Sequence, residues 1–229
     1  MLLIGRRKFL ATTAVLMVAP ALFSPQVAQA QVTAFGQAIA EAAAGDDDLA
    51  AFYRGRDFQA IWAGDNDIAR ARRTALITAF SHAPDHGLPA DRYDPAALIA
   101  RLRAANTPAE QGTMEVVLSR LFLQYARDVQ TGILVPSRVD AGIVREVPYR
   151  PRLDTINGFA AANPASFIRA LPPANPEYTR LMAEKLRLER LIVGGGWGSG
   201  VGARSLQPGA TGPAVIEMRN RLIAMGVMD

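Results

Sequence analysis

His82, Asp85 and His86 form the one cluster of metal-type ligands in this sequence. A histidine pair four residues apart can hold zinc when both side chains rise from one face of a continuous helix. Pro84 stands between them, and proline inside a helix removes a ladder hydrogen bond and crowds the preceding turn. His86-Gly87 therefore reads as a helix end followed by a turn, both histidines read as structural, and no metal is expected. Asp46-Asp47-Asp48 has the charge of a calcium loop without its alternating ligand spacing. Ahead of Leu49-Ala50-Ala51-Phe52, these acids suit a helix N-terminus instead.

Nucleophile and phosphate motifs fare no better. Ser199 lies among glycines, but Trp197 occupies the first glycine position that a nucleophile elbow requires. The stretch from Gly194 to Gly202 matches neither a dinucleotide fingerprint nor a phosphate loop. With no cysteine in the sequence, a thiol nucleophile, cysteine-ligated zinc and an iron–sulfur cluster are excluded for these residues. Paired carboxylates are plentiful, yet pattern alone does not set two of them across a cleft. Phe52, Tyr53, Phe58 and Trp62 read as core, because large aromatics dominate burial. Residue chemistry thus yields no catalytic residue and no cofactor, and leaves substrate-binding residues unassigned.

The first thirty residues describe an export signal rather than a fold. Arg6, Arg7 and Lys8 make a basic start, residues 11–23 carry no charge, and Ala28-Gln29-Ala30 offers small residues for cleavage after Ala30. The paired arginines before Phe9-Leu10 resemble a twin-arginine address. Spanning a bilayer takes roughly 20 apolar residues, and this run is shorter and interrupted by Pro20. Export to the periplasm of a Gram-negative bacterium follows as the expected location, with membrane contact only through the signal before cleavage. Removing Arg6, Arg7 and Lys8 lowers the net charge from +4 to +1, so the basicity is mostly export chemistry. A field that weak gives no reason to expect nucleic acid as a partner.

The elements behind the signal are mainly helical. Residues 32–44 place Phe35, Ile39 and Ala43 on one face, and residues 65–82 show apolar spacing at Ile68, Ala71, Ala75, Ile77 and Phe80. Three later helices open on a capping residue followed by proline: Asp94-Pro95, Thr107-Pro108 with Glu110 completing a capping box, and Asn175-Pro176. The longest carries Val116, Val117, Leu118, Leu121, Phe122, Tyr125 and Val129 as a broad stripe. The 176–193 helix carries Leu181, Leu186, Leu188 and Leu191. Residues 153–162 predict a shorter helix. Strand candidates are confined to residues 58–62 and 144–147. The glycine-rich stretch 194–205 is a linker by composition. Beyond it, residues 206–229 predict an amphipathic helix with Val215, Met218, Leu222 and Ile223 on its apolar side. About 24 residues fall below the roughly 40 that a domain without staples needs, so this tail reads as an incomplete module.

Several phrases together resemble the N-terminal half of the large L,D-transpeptidases of Gram-negative bacteria, the YcbB-like murein cross-linking enzymes. Phe52-Tyr53 with Arg56, Phe58 and Ile61-Trp62 is one. Ala83 through His86-Gly87-Leu88 to Tyr93 is a second. Glu115, Leu118-Ser119, Phe122, Tyr125, Asp128, Gly132 and Pro136 fit the long helix and its exit. Leu171-Pro172, Pro176, Tyr178, Leu181 and Gly195-Gly196-Trp197 fit the end of that region. Leu206-Gln207-Pro208-Gly209, Gly212, Val215, Met218-Arg219, Arg221-Leu222 and Gly226 resemble the first half of a small three-helix peptidoglycan-binding domain.

The resemblance implies a division into a signal (1–30), a helical scaffold domain (31–193), a linker (194–205) and a partial peptidoglycan-binding-like module (206–229). It implies peptidoglycan as the partner, through glycan or stem peptides, with other cell-wall synthesis proteins as a further candidate. Its chemistry is acyl transfer through a cysteine thiolate, in a domain beyond the peptidoglycan-binding one. This sequence ends before that domain and its two histidines fall in the scaffold, so no catalytic residue carries over and the chain alone is expected to be inactive. The alternative is a standalone periplasmic peptidoglycan-binding or assembly protein without enzymatic activity.

Overall fold

The computed structural model describes residues 26–229, with side chains from residue 34 onward. Arg6 and Arg7 lie outside the described residues. Ala28 and Ala30 fall in the backbone of the first helix, α1 (Gln26–Ala43), so cleavage after Ala30 would cut within it.

Ten α-helices and one 3-10 turn follow one another, and there is no strand among the described residues. After α1 come α2 (Asp47–Arg54) and α3 (Asp67–Ser81), then the 3-10 turn Ala83–His86. Next are α4 (Pro95–Ala104), the long α5 (Pro108–Thr131) and the single turn α6 (Pro136–Val139). The chain closes with α7 (Arg152–Ala161), α8 (Pro164–Arg169), α9 (Pro176–Val193) and α10 (Pro213–Ala224). None of these helices is long and apolar enough to cross a membrane.

Local chemistry sets the starts. Asp46 caps α2, its side chain accepting from the Leu49 amide at 3.3 Å, and Asp47 and Asp48 fill the first turn. Asn66, Asp94, Asn163 and Asn175 cap α3, α4, α8 and α9 in the same way. At the head of α5, Thr107 and Glu110 form a reciprocal capping box. Each such cap satisfies N–H groups that the helix cannot pair itself.

Helix α5 is the axis. Val116, Leu118, Phe122, Leu123, Tyr125, Ala126 and Val129 are buried along it, and α1 packs down its length. The two helices approach so closely at Gly112 that an added Cβ would collide with the Phe35 carbonyl oxygen and lie 3.0 Å from Ala38 Cβ. Helix α7 closes the other side, with Phe159 stacked on Phe122 at 4.2 Å and on Trp62 at 5.1 Å. It is tied to the α2 cap by Arg152, whose guanidinium donates to both Asp46 oxygens, at 3.0 and 2.5 Å.

The structure corrects three expectations. Residues 58–62 form a tight irregular turn, with Asp57 and Phe58 at φ of 50° and 57°, rather than a strand. Residues 144–147 are exposed coil. The helix expected at 153–162 forms as α7, and a further short helix, α8, restarts after it at Asn163-Pro164. Helix α9 forms where expected, but no residue on it is fully buried and Leu181 is 63% exposed.

Gly112→Ala is expected to lower stability by about 1–3 kcal/mol, because the helix pair has to separate to admit the methyl; chemical denaturation of variant and wild type measures it. Asp46 gives a pH signature. Burial raises its pKa, but the Arg152 hydrogen bond, the Leu49 amide and the charges of Arg152 and Arg120 outweigh that and hold it below 3.8. A carboxyl with a depressed folded pKa adds stability above its unfolded pKa and loses it as pH falls through the folded one. The stability gap between wild type and Asp46→Asn should therefore be constant near neutrality and close below pH 3.8. A gap that widens in acid would contradict this.

Candidate functional site

Between α2 and α3 the backbone makes no helix, so its polar groups need partners from elsewhere. Glu115 supplies them. It projects from α5 on the same face as Ser119 and Phe122, and only 1% of its surface is exposed. One carboxylate oxygen accepts the Ile61 amide at 2.6 Å and the other the Ala63 amide at 2.7 Å. The Trp62 amide lies between them, at 3.1 and 3.0 Å. Tyr53 Oη donates toward the same carboxylate at 3.1 Å and lies 2.6 Å from Ser119 Oγ. Ser119 Oγ accepts the Trp62 indole N–H at 2.9 Å.

The carbonyls of the same segment face α3. Arg72 donates to the Ile61 carbonyl at 3.0 Å and to the Ala160 carbonyl of α7 at 2.5 Å. Arg73 donates to the carbonyls of Trp62 and, at 2.9 Å, Gly64. Burial raises the Glu115 pKa above 4.5, while the amides of Ile61, Ala63 and Trp62 and the Tyr53 hydroxyl pull it down. Every oxygen of the carboxylate is occupied by a donor. The group can hold three peptide units in place; it has no free lone pair with which to take a proton from a substrate.

A second buried carboxylate, Asp128, sits about three and a half turns further along α5. Asp128 accepts from Tyr93 Oη at 2.6 Å and lies 3.3 Å from Arg92 Nε. That pair binds the 89–94 connection to α5. Burial, then the Asp128 hydrogen bond and charge, push the Tyr93 hydroxyl far above its ordinary range.

The histidine cluster lies at the rim of a cavity of about 730 Å³ between α3, α8 and α9. Ala75, Thr78, Ile168, Met182 and Leu186 line it. Helix α3 ends at Ser81 and Pro84 falls in the 3-10 turn, with Gly87 at φ 77° closing it. The two histidines therefore do not share a helix. His82 Nδ1 meets Asp85 Oδ2 at 2.9 Å, and His86 Nδ1 meets Tyr178 Oη at 2.6 Å with the rings stacked. Burial lowers the His86 pKa below 6.5; Asp85 opposes this, and His82 and Lys185 add to it. The contact pins α9 to the rest of the fold.

Ser199 lies in the linker, where its carbonyl accepts from Arg221 at 3.2 Å. The Gly202 amide donates to Glu217 at 2.8 Å, which holds α10 against the 198–202 stretch. Sequence reasoning missed Arg127, Gln130, Tyr149 and Arg150, which the fold gathers beside the C-terminal half of α5. A signal was present in the density of arginines from 138 to 152, but nothing in the spacing aligned them with α5.

Both buried carboxylates, Glu115 and Asp128, are thus committed to partners within the fold. A family model described as Scaffold domain matches residues 47–184, more than half of the chain, and the chain belongs to that family. The match opens with α2 and ends within α9, so it contains both buried carboxylates and the histidine cluster. No curated protein and no solved structure matches the chain.

Glu115→Gln is expected to cost about 3 kcal/mol or more, because the amide turns a buried N–H donor toward backbone N–H groups and leaves one without an acceptor. Ser119→Ala should cost less, about 1–2 kcal/mol, since Tyr53 keeps Glu115. Denaturant titrations of the two variants rank them, and a smaller loss for Glu115→Gln than for Ser119→Ala would show that the carboxylate is not the main tie.

Proposed function

We propose that this chain is the non-catalytic N-terminal part of a peptidoglycan L,D-transpeptidase, exported to the Gram-negative periplasm by its twin-arginine-type signal. The scaffold domain holds its place beside the cell wall, and residues 206–229 belong to a peptidoglycan-binding-like module. Acyl transfer from a stem peptide runs through a cysteine in a domain outside these residues. Peptidoglycan is the partner, with other cell-wall synthesis proteins at the exposed helices.

One observation carries the reading. Residues quoted for the resemblance from separate parts of the chain, Tyr53, Ile61, Trp62, Glu115 and Ser119, meet in a single buried network. The phrases around residues 52–62 and 115–119 thus share one physical setting, which supports reading them together. The match to the Scaffold domain family supports the same part of the chain. Exposed apolar residues on α10, Ile216 and Ile223, fit a helix that packs against further chain or a partner. That exposure equally suits the alternative, a standalone periplasmic peptidoglycan-binding or assembly protein.

Two measurements separate these. The purified chain from residue 31 should form no cross-links when incubated with muropeptides; cross-linking by it alone would overturn the non-catalytic reading. The coding sequence beyond Asp229 should continue in frame to a cysteine and a histidine. A stop codon there would sink the transpeptidase assignment and leave the standalone protein.

A further inference from the structure

Arg127, on the outer face of α5, lies 4.4 Å from the centre of the Tyr149 ring and donates to its hydroxyl at 3.1 Å. Tyr149 divides two adjoining cavities of about 270 and 570 Å³. Both are lined by Gln130, Thr131, Tyr149 and Arg150; Arg127 borders the first and Arg145 the second. No acidic residue lines either one. Arg152 is occupied by Asp46 and Asp48. Arg127, Arg145 and Arg150 pair with no carboxylate among the described residues; nearby Glu146 lines neither cavity. Within this cationic cleft, the Gln130 side-chain N–H₂ is buried and has no hydrogen-bond partner.

A buried donor without an acceptor is costly, and unpaired guanidiniums around it offer planar forks suited to carboxylates. We propose that this cleft binds the carboxylates of a peptidoglycan stem peptide. Arg127 and Arg150 make the charged contacts, and Gln130 donates to a ligand carbonyl or carboxylate oxygen. The choice of ligand rests on the cell-wall reading above; the anion-binding character rests on the cleft alone. Two cationic compartments on either side of one aromatic ring favour an extended ligand with more than one carboxylate over a single compact anion. Leu123 and Ala126 at the base of the first compartment give the peptide an apolar floor.

The test is calorimetric titration of the full chain with a tetrapeptide stem, followed by nuclear magnetic resonance of the Gln130 side-chain amide. Saturable binding that moves the Gln130 signal is expected. Affinity should fall about tenfold in Arg127→Ala and in Arg150→Ala, the worth of one charge-assisted hydrogen bond. Arg103→Ala, which lines neither cavity, should bind as wild type. Circular dichroism checks that the variants keep their helices, and a stem peptide with amidated carboxylates should not bind.

Absence of stem binding, or binding unchanged in both arginine variants, overturns the proposal. If glutarate or inorganic phosphate shifts Gln130 while the stem does not, the cleft takes small anions and the stem assignment is wrong. Should the chain still sediment with purified sacculi while the stem leaves Gln130 unmoved, this inference fails and the peptidoglycan reading stands.

Discussion

A carboxylate buried in an apolar core is tolerated only when its oxygens are fully hydrogen-bonded, and that constraint at Glu115 organises the fold. The segment from Gly55 to Asn66 has no helix ladder, yet it carries Trp62 into the centre of the molecule. Its amides at Ile61, Trp62 and Ala63 all end on Glu115. Its carbonyls at Ile61, Trp62 and Gly64 all end on Arg72 and Arg73. Because α5 supplies the acceptor and α3 the donors, the segment is clamped from both sides. The positive φ values of Asp57 and Phe58, costly for residues with a Cβ, are held by amide hydrogen bonds back to the Arg54 and Tyr53 carbonyls at the end of α2.

Packing follows from the clamp. Once Trp62 is fixed, it presents a flat face to Phe159, and Phe159 stacks on Phe122 of α5. Arg72 reaches through to the Ala160 carbonyl, so the same side chain that closes the turn also seats α7. Arg152 then ties the start of α7 to the cap of α2. Helices far apart in sequence are thereby fixed around one polar centre. The periphery is held differently. Helix α9 touches the bundle through His86 and Tyr178 and through Met182 and Leu186, and α10 is held by Glu217 and Arg221 to the glycine linker. Few buried contacts make these the segments expected to open first.

Much of this was legible in the sequence where the signal is local. Thr107 with Glu110, Asp94-Pro95 and Asn175-Pro176 fixed three helix starts, because a cap and a proline act within four residues. The same signal at Asn163-Pro164 marks α8, directly after the helix expected at 153–162. Residues 58–62 read as a short strand candidate, but the acceptor for the Ile61 amide is a side chain 54 residues away rather than a neighbouring strand. Periodicity has no means of showing that. Glu115 sits among Val116, Leu118 and Phe122, where a helical stripe analysis counts it as an interruption. Only the resemblance singled it out, and only the fold says why.

The chemistry of the centre also decides what kind of function remains. A carboxylate becomes a general base when a lone pair faces a reacting proton, and Glu115 has each oxygen committed to backbone amides. Tyr53 and Ser119 hydrogen-bond to each other, Tyr53 also to that same carboxylate and Ser119 also to the Trp62 indole, so both hydroxyls are committed within the core. Asp128 is held by Tyr93 and Arg92. With these carboxylates saturated, the cleft proposed above draws on arginines free of carboxylate partners and on the buried Gln130 side-chain amide. Gln130 and the arginines around Tyr149 gather beside the C-terminal half of α5, the helix that also carries Glu115. One helix therefore rigidifies the core through Glu115 and carries Arg127 and Gln130 in its C-terminal half, where they border the cavity beside Tyr149.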